Sequence, residues 1–324
     1  MRKAGKIILY IIASALVIVA GLLTYVKFGL PDVGAAPVIK INSSAEKVER
    51  GRYLANHVAI CIDCHSTRDW SKLTAPIIPG TLGAGGEKFD EAAGLPGSIY
   101  SANITPSNLG DWTDGEIFRA ITTGVKKDGS AIFPIMPYNR YRQMDTADIY
   151  SIIAYLRTLP DQQTITPERN LDFPVNFIVN TIPEKAEPSP VPPPNTPAYN
   201  AYIINAAACF NCHTDEKEGK WVGKDFAGKR GFKMPGGTVF SANITPDLKT
   251  GIGSWTKEAF VARFKSYADS GYVYPAVEEN SFQTVMPWGM YAGMKRSDLE
   301  AIYEYLKTVP PVENAVTKFV PGKG

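Results

Sequence analysis

The four cysteines of this 324-residue chain form two identical patterns. Each pattern has two cysteines three positions apart and a histidine directly after the second: Cys61, Cys64 and His65, then Cys209, Cys212 and His213. Two thiols at this spacing lie one helical turn apart and can each bond to a vinyl group of a haem, while the histidine binds its iron. We therefore predict two covalently attached haem c groups. A shared zinc site or a pair of dithiol redox sites would also use four cysteines, but neither explains a histidine after both pairs.

The second axial position of each haem iron also needs a ligand. The chain has only three histidines, so two haems with two histidine ligands each cannot form. We expect Met136 and Met286 at these positions, because each is followed by a proline and an aromatic residue at a similar distance from its cysteine motif. The third histidine, His57, lies four residues before Cys61 and is expected to be a packing or surface residue.

The chain repeats itself, with the landmarks in the same order. Residues 101–106 recur letter for letter at 241–246, a Trp-Thr pair recurs at 112 and 255, and a Tyr-Leu-x-Thr-x-Pro ending recurs at 155–160 and 305–310. This spacing is far longer than that of solenoid repeats, so we infer a duplicated domain. Asn103, Asn243, Trp112 and Trp255 could hydrogen-bond haem propionates or form a turn and a helix cap, and the sequence leaves both open.

Periodic apolar positions and proline stops predict a mainly α structure. The expected helices lead into the cysteine motifs, follow the Trp-Thr pairs and close each repeat, over residues 45–59 and 198–208, 114–123 and 257–267, and 146–158 and 296–308. Two stretches rich in glycine and proline, 76–86 and 231–237, are expected to be loops.

The N-terminal segment carries a run of uncharged residues, Ile7 to Val26. As a helix this run spans roughly 30 Å, the thickness of a bilayer's hydrocarbon core. Basic residues are denser before the run than after it, which predicts a cytoplasmic N-terminus and haem groups on the outer side. A cleaved signal peptide is the alternative, but the run is long for one and no clear cleavage site follows it.

Both halves resemble class I cytochrome c domains. The ordered motifs are similar to those of the cytochrome c subunits that accompany bacterial membrane dehydrogenases, over residues 45–160 and 197–311. The chain departs from the alcohol-dehydrogenase type, which has three haem motifs, in having two and in starting with an apparent anchor. The resemblance implies an electron carrier with redox partner proteins: a dehydrogenase or respiratory complex as donor, and an oxidase or soluble cytochrome as acceptor.

The expected organisation is two tandem class I cytochrome c domains preceded by one transmembrane helix. Its parts are a membrane anchor at 1–28, a first cytochrome c domain at 42–160, a Pro-rich linker at 161–197, a second cytochrome c domain at 198–311 and a tail at 312–324. The linker's middle, 171–179, is apolar and is expected to lie against one or both domains as a hydrophobic strap, with a partner-docking site as the alternative.

These features predict an electron relay and not an enzyme. Single electrons would pass through the two haems on the outer face of a bacterial cytoplasmic membrane toward a high-potential acceptor such as a terminal oxidase. A dihaem peroxidase and a haem-based small-molecule sensor are the alternatives, and both require one open iron position. The net charge of +2, without a stripe of basic residues, argues against nucleic acid as a partner.

Overall fold

The first feature of the computed structural model is a long N-terminal helix. The structure describes residues 2–269, 271–278 and 280–322, so Met1, Lys323 and Gly324, the ends of the expected anchor and tail, lie outside it. Helix α1 (Arg2–Phe28) is long and apolar enough to cross a membrane by its length and composition, and none of its apolar stretch is buried against the rest of the chain.

The first half of the chain is mainly helical. Ser44 caps the first helix after the anchor, with its hydroxyl accepting from the Lys47 amide at 3.3 Å. The helices are α2 (Ala45–Tyr53), α3 (Cys61–Cys64), α4 (Pro106–Leu109), α5 (Asp114–Thr123), α6 (Tyr138–Tyr141) and α7 (Thr146–Leu156). The predicted helix 45–59 is interrupted, because residues Leu54–Val58 form a π-helical turn.

The second half has a similar order of helices. They are α9 (Pro197–Ala206), α10 (Cys209–His213), α11 (Lys257–Lys265), α12 (Trp288–Ala292) and α13 (Arg296–Thr308). Thr113 and Thr256, from the Trp-Thr pairs, are the N-cap residues of α5 and α11, and Thr113 forms a full capping box with Glu116. The expectation of a mainly α chain is confirmed.

The strands of the structure are short. Strands β1 (Lys88–Phe89), β2 (Gly97–Tyr100) and β3 (Asn170–Leu171) form one antiparallel sheet. Strands β4 (Glu216–Lys217) and β5 (Lys220–Trp221) form a hairpin, and β6 (Gly231–Met234), β7 (Gly237–Phe240) and β8 (Phe319–Pro321) form a further sheet. Residues 231–237 are therefore mostly strand and turn, and the prediction of a loop there was wrong.

Linker and tail both pack on the body of the protein. From the linker, β3 pairs with β2, and α8 (Val175–Ile178) continues into a 3₁₀ turn at Val179–Thr181. From the tail, β8 pairs with β7.

The two halves share one hydrophobic core. Helix α2 packs on α7 and α9 packs on α13, and buried side chains of both pairs join one cluster: Tyr53, Ile149, Ile152, Ile203, Leu299 and Leu306. The polar contacts between the halves are reciprocal. Tyr53 donates to Asp298 at 2.5 Å and Tyr202 donates to Asp148 at 2.8 Å, so corresponding helices exchange the same bond. Such an exchange is typical of a two-fold, isologous interface.

Candidate haem sites

Each cysteine motif forms one short helix after a sharp change of backbone direction. The residue before the first cysteine is left-handed in both halves, with φ 47° at Ile60 and φ 51° at Ala208. Positive φ at a residue other than glycine is uncommon and costly, most of all for a β-branched residue such as isoleucine. The turn separates the motif helix from the helical segment before it.

The two motif histidines are held in the same way. Nδ1 of His65 lies 2.7 Å from the carbonyl oxygen of Ala102, and Nδ1 of His213 lies 2.8 Å from that of Ala242. A carbonyl oxygen only accepts, so Nδ1 carries the proton and Nε2 keeps its lone pair. This fixed tautomer, with the ring oriented by a backbone acceptor, is the arrangement that suits a histidine bound to a metal.

A glycine in each half allows the motif histidine to approach the carbonyl oxygen of Ala102 or Ala242. Gly85 and Gly228 donate their amides to the carbonyls of His65 and His213 at 2.9 and 2.8 Å. Their φ angles are +69° and +75°, and a Cβ atom would come within 2.4 to 2.5 Å of the Ala102 or Ala242 carbonyl carbon. Only glycine fits this close approach.

The two predicted methionine ligands face the same cavity as the histidines. This continuous cavity has a volume of about 3500 Å³, and its lining includes both motifs together with Met136 and Met286. A pocket for one small ligand is usually about 300 to 1000 Å³. The structure therefore brings all eight predicted site residues to one cavity that exceeds the needs of a single small ligand.

In each half, a tyrosine that follows the predicted methionine ligand hydrogen-bonds to the backbone just before the motif helix. Tyr141 donates to the carbonyl of Ala59, and Tyr291 donates to that of Ala207, both at 2.7 Å. Both tyrosines are buried, which raises their pKa well above the usual value and keeps the hydroxyl protonated as a donor. Each tyrosine follows its methionine by five residues, a repeated signal in the sequence that was missed.

The four thiols do not resemble zinc or dithiol redox sites. Among the residues that the structure describes, no three His, Cys, Asp or Glu side chains are grouped closely enough to hold a metal ion. Desolvation by the surrounding protein raises the pKa of Cys61, Cys64 and Cys209 to about 12 and also raises that of Cys212, although Cys64 and Cys212 are exposed to the cavity. Reactive dithiols need the opposite shift. The donor set of each half, two thiols, an imidazole with a free Nε2 and a thioether that lines the same cavity, fits haem c.

The repeated asparagines form turns. Oδ1 of Asn103 accepts from the amide and hydroxyl of Thr105, and its Nδ2 donates to the carbonyl of Gln162 at 2.7 Å. Asn243 repeats this with Thr245 and the carbonyl of Val312. Each asparagine side chain therefore links the segment after the last helix of its half to the repeated turn at residues 101–106 or 241–246. Trp112 and Trp255 do line the cavity.

His57 and two of the methionines not chosen as ligands, Met144 and Met294, have packing roles. His57 Nδ1 lies 2.9 Å from the carbonyl oxygen of Met290 in the other half, and burial lowers the pKa of its imidazole. Met144 and Met294 are buried in the core, eight residues after Met136 and Met286.

A guanidinium group lies beside the second cysteine of each motif. Arg68 pairs with Asp63 at 3.2 Å and with Glu87 at 3.1 Å. In the other half, Arg230 pairs with Glu216 at 2.9 Å. Arg68 is stacked over Trp70, and Arg230 over Trp221, with 4.4 and 5.6 Å to the ring centroids.

Sequence comparison agrees with this donor set. Residues 201–310 match the protein family described as cytochrome c. The chain contains a cytochrome c domain. A domain of this family carries covalently bound haem c, in keeping with the motif at Cys209, Cys212 and His213.

The chain is also homologous to part of the cytochrome subunits of dehydrogenases and to a dihaem cytochrome c. It is 26% identical over 283 residues to the alcohol dehydrogenase (quinone) cytochrome c subunit of Gluconacetobacter polyoxogenes, covering 82% of this chain and 56% of that protein. It is 28% identical over 304 residues to the fructose dehydrogenase cytochrome subunit of Gluconobacter japonicus, covering 86% and 56%. It is 24% identical over 285 residues to a dihaem c-type cytochrome of Cereibacter sphaeroides, covering 78% and 83%. The chain thus spans little more than half the length of the two dehydrogenase subunits.

Proposed function

We propose that this chain is a membrane-anchored dihaem cytochrome c that relays single electrons. Each half would hold one haem through its two cysteines, with His65 and Met136 as axial ligands in the first and His213 and Met286 in the second. The fixed Nδ1–H tautomer of both histidines, with a methionine facing the same cavity, is the observation that carries the proposal. Haem iron bound this way supplies reversible one-electron chemistry at a high potential.

The protein's own residues give the relay its architecture. The two cysteine motifs, one in each half, both line a single continuous cavity. We propose the domain organisation predicted above, with first and second cytochrome c domains at 42–160 and 198–311.

The relatives suggest the partners and the location. Two of them are named as subunits of dehydrogenases, so we propose a dehydrogenase or respiratory complex as electron donor and a high-potential oxidase or soluble cytochrome as acceptor. Helix α1 would cross the cytoplasmic membrane once, with the haem-bearing halves on the outer side.

Ligand substitution tests the proposal against the enzyme and sensor alternatives. The pyridine haemochrome assay should give two covalent haems per chain, and the oxidised protein should show the weak far-red sulfur-to-iron band. Met136→Ala and Met286→Ala should each remove about half of this band, open one haem to carbon monoxide and lower its potential, because the thioether favours ferrous iron.

Met136→His and Met286→His are the matched controls. They should restore a six-coordinate iron at a lower potential without restoring the band. A haem count of one would contradict the proposal. A wild type that already binds carbon monoxide at one haem, with its band unchanged in Met286→Ala, would favour a peroxidase or sensor.

A further inference from the structure

Two guanidinium groups contact Asn211, which lies between Cys209 and Cys212 in the second motif. Arg230, from the same half, donates from Nη1 to the Asn211 carbonyl oxygen. Arg140, from the first half, donates from Nε to the side-chain oxygen of Asn211 at 2.7 Å. The second cysteine motif is therefore flanked by one cation from each half of the chain.

The charges of these two cations are compensated to different extents. Arg230 forms an ion pair with Glu216 at 2.9 Å. In the part of the chain that the structure describes, no carboxylate lies within 4.0 Å of Arg140, and Asp225 acts on it only from farther away. The Arg140 guanidinium is stacked over the Phe210 ring, 4.4 Å from its centroid. Desolvation lowers the pKa of Arg140, but a guanidinium stays protonated, so its positive charge remains beside the motif.

Contacts from the second half fix Arg140 at both ends. Its backbone carbonyl accepts from Nδ2 of Asn205 at 3.1 Å, while its side chain is bound to Asn211. Arg140 lies in α6, four residues after the predicted ligand Met136, and the same position of the second half is Met290. Methionine carries no charge, so the second half does not supply a matching cation from this position.

The first motif has different surroundings. Asp63 takes the place of Asn211 and pairs with Arg68 of its own half at 3.2 Å, and Arg68 also pairs with Glu87 at 3.1 Å. Two carboxylates therefore share one guanidinium beside the first motif. A nearby positive charge stabilises ferrous iron over ferric iron, because the ferric form carries one more positive charge.

We propose that Arg140, a residue of the first half, sets the potential of the haem in the second half by holding an uncompensated positive charge beside the second motif. The inference rests on the proposed dihaem relay. It also gives the relay a direction. An electron that arrives at the first haem would pass to the second, because the cation favours reduction there.

A redox titration of the full-length protein with both haems tests this inference. Met136→Ala and Met286→Ala assign the two potentials, since each should lower one of them. Arg140→Gln removes the charge but keeps a donor for Asn211, and Arg140→Met removes the charge but keeps an unbranched side chain over Phe210. Both should lower the second haem's reduction equilibrium constant about tenfold, about 59 mV for one electron, and by more than that of the first.

Two control variants separate charge from contact. Arg140→Lys keeps the positive charge and should retain most of the second haem's potential. Arg142→Gln is the matched control, because Arg142 lies two residues further along the same segment but pairs with Glu184 and Glu187 of the linker. It should leave the second haem's potential unchanged. Haem content and the far-red band, measured on every variant, report whether attachment and ligation are intact.

The inference would be overturned by an unchanged second potential in Arg140→Gln and Arg140→Met, or by a larger shift of the first potential. A decrease in Arg140→Lys as large as that in Arg140→Gln would show that the contact and not the charge matters, which would also overturn it. A haem count of one in the wild type would contradict the relay itself. The haem count therefore distinguishes failure of the relay from failure of the role of Arg140.

Discussion

The two halves hold their methionine segments differently. Twelve residues separate the end of α5 from Met136, whereas twenty separate the end of α11 from Met286. The shorter segment folds on its own half, where Ile132 donates to the Gly124 carbonyl at 2.6 Å, and the linker's Arg169 donates to the Ala131 carbonyl. The longer segment reaches across to the first half.

Gln283 is the centre of the contact that crosses between the halves. Its side chain is buried, accepts from the Thr74 amide at 2.9 Å and donates to the carbonyls of Trp70 and Lys72 at 3.1 and 2.9 Å. Backbone bonds from Leu73 to Pro275 and from Val277 to Ser71, both 2.8 Å, extend it. The difference teaches that the second iron site depends on the first half, since the loop after His65 holds the segment that carries Met286.

Gln283→Ala should produce the largest effect among the tests of this comparison. It removes three buried hydrogen bonds between the halves, at a cost of about 2 to 4 kcal/mol in the free energy of unfolding. We expect about half of the far-red band to be lost and one haem to bind carbon monoxide, with two covalent haems retained, because only the position of Met286 is released.

Two further variants separate positioning from general destabilisation. Gln283→Glu keeps the acceptor for Thr74 but loses both donors, so it should fall between wild type and Gln283→Ala. Gln162→Ala removes a bond from the linker to the Gly80 carbonyl of the first half and should leave the band intact. An unchanged band in Gln283→Ala would show that the contact between halves does not position Met286.

Charge beside the second cysteine also differs between the halves. The amides of Glu87 and Arg230 donate to the hydroxyls of Ser101 and Ser241 at 3.0 and 3.1 Å, so they occupy corresponding positions with opposite charge. Asp63 likewise corresponds to Asn211, two residues after the first cysteine. The side chains around the first motif therefore carry the more negative charge. Negative charge stabilises ferric iron over ferrous iron, so we predict the lower reduction potential for the haem of the first half.

Glu87→Gln should raise that lower potential by several tens of millivolts. A unit charge about 10 Å away contributes about 1 to 2 kcal/mol at an effective dielectric constant near 20. A redox titration measures the change, and the haem is assigned by comparison with Met136→Ala. Glu216→Gln, the control in the second half, should move the higher potential instead. A shift of the higher potential in Glu87→Gln would reverse the assignment.

The sequence predicted what depends on short motifs. The cytochrome c domain and the mainly helical fold are confirmed. Helices α5 and α13 have the predicted bounds because the capping box of α5 and the apolar period of α13 are local signals. The left-handed Ile60 and Ala208 and the contact through Gln283 were not predicted. These features depend on how the two halves and the longer methionine segment pack against each other. The sequence of one segment alone does not determine that packing. The roles of Met136, Met286 and the motif residues as haem ligands stay predictions.

The smallest effect is expected at His57, where the halves are most alike. His57 and Asn205 both lie four residues before a first cysteine, and each contacts a carbonyl in the other half: that of Met290 at 2.9 Å and that of Arg140 at 3.1 Å. Asparagine therefore already fills this role once, and His57→Asn should change the free energy of unfolding by less than about 1 kcal/mol.

His57→Leu is the informative partner of that substitution. The leucine side chain fills a similar space beside Gly293 but cannot hydrogen-bond to the Met290 carbonyl. The space is tight, because a Cβ atom on Gly293 would lie 2.1 Å from the His57 imidazole. Thermal unfolding should rank the proteins as wild type, His57→Asn and His57→Leu, with the far-red band retained in all three, because α12 keeps the bond from Tyr291 to Ala207. Loss of half the band in His57→Asn would mean that the imidazole acts on Met286 through α12, and that His57 and Asn205 are not equivalent.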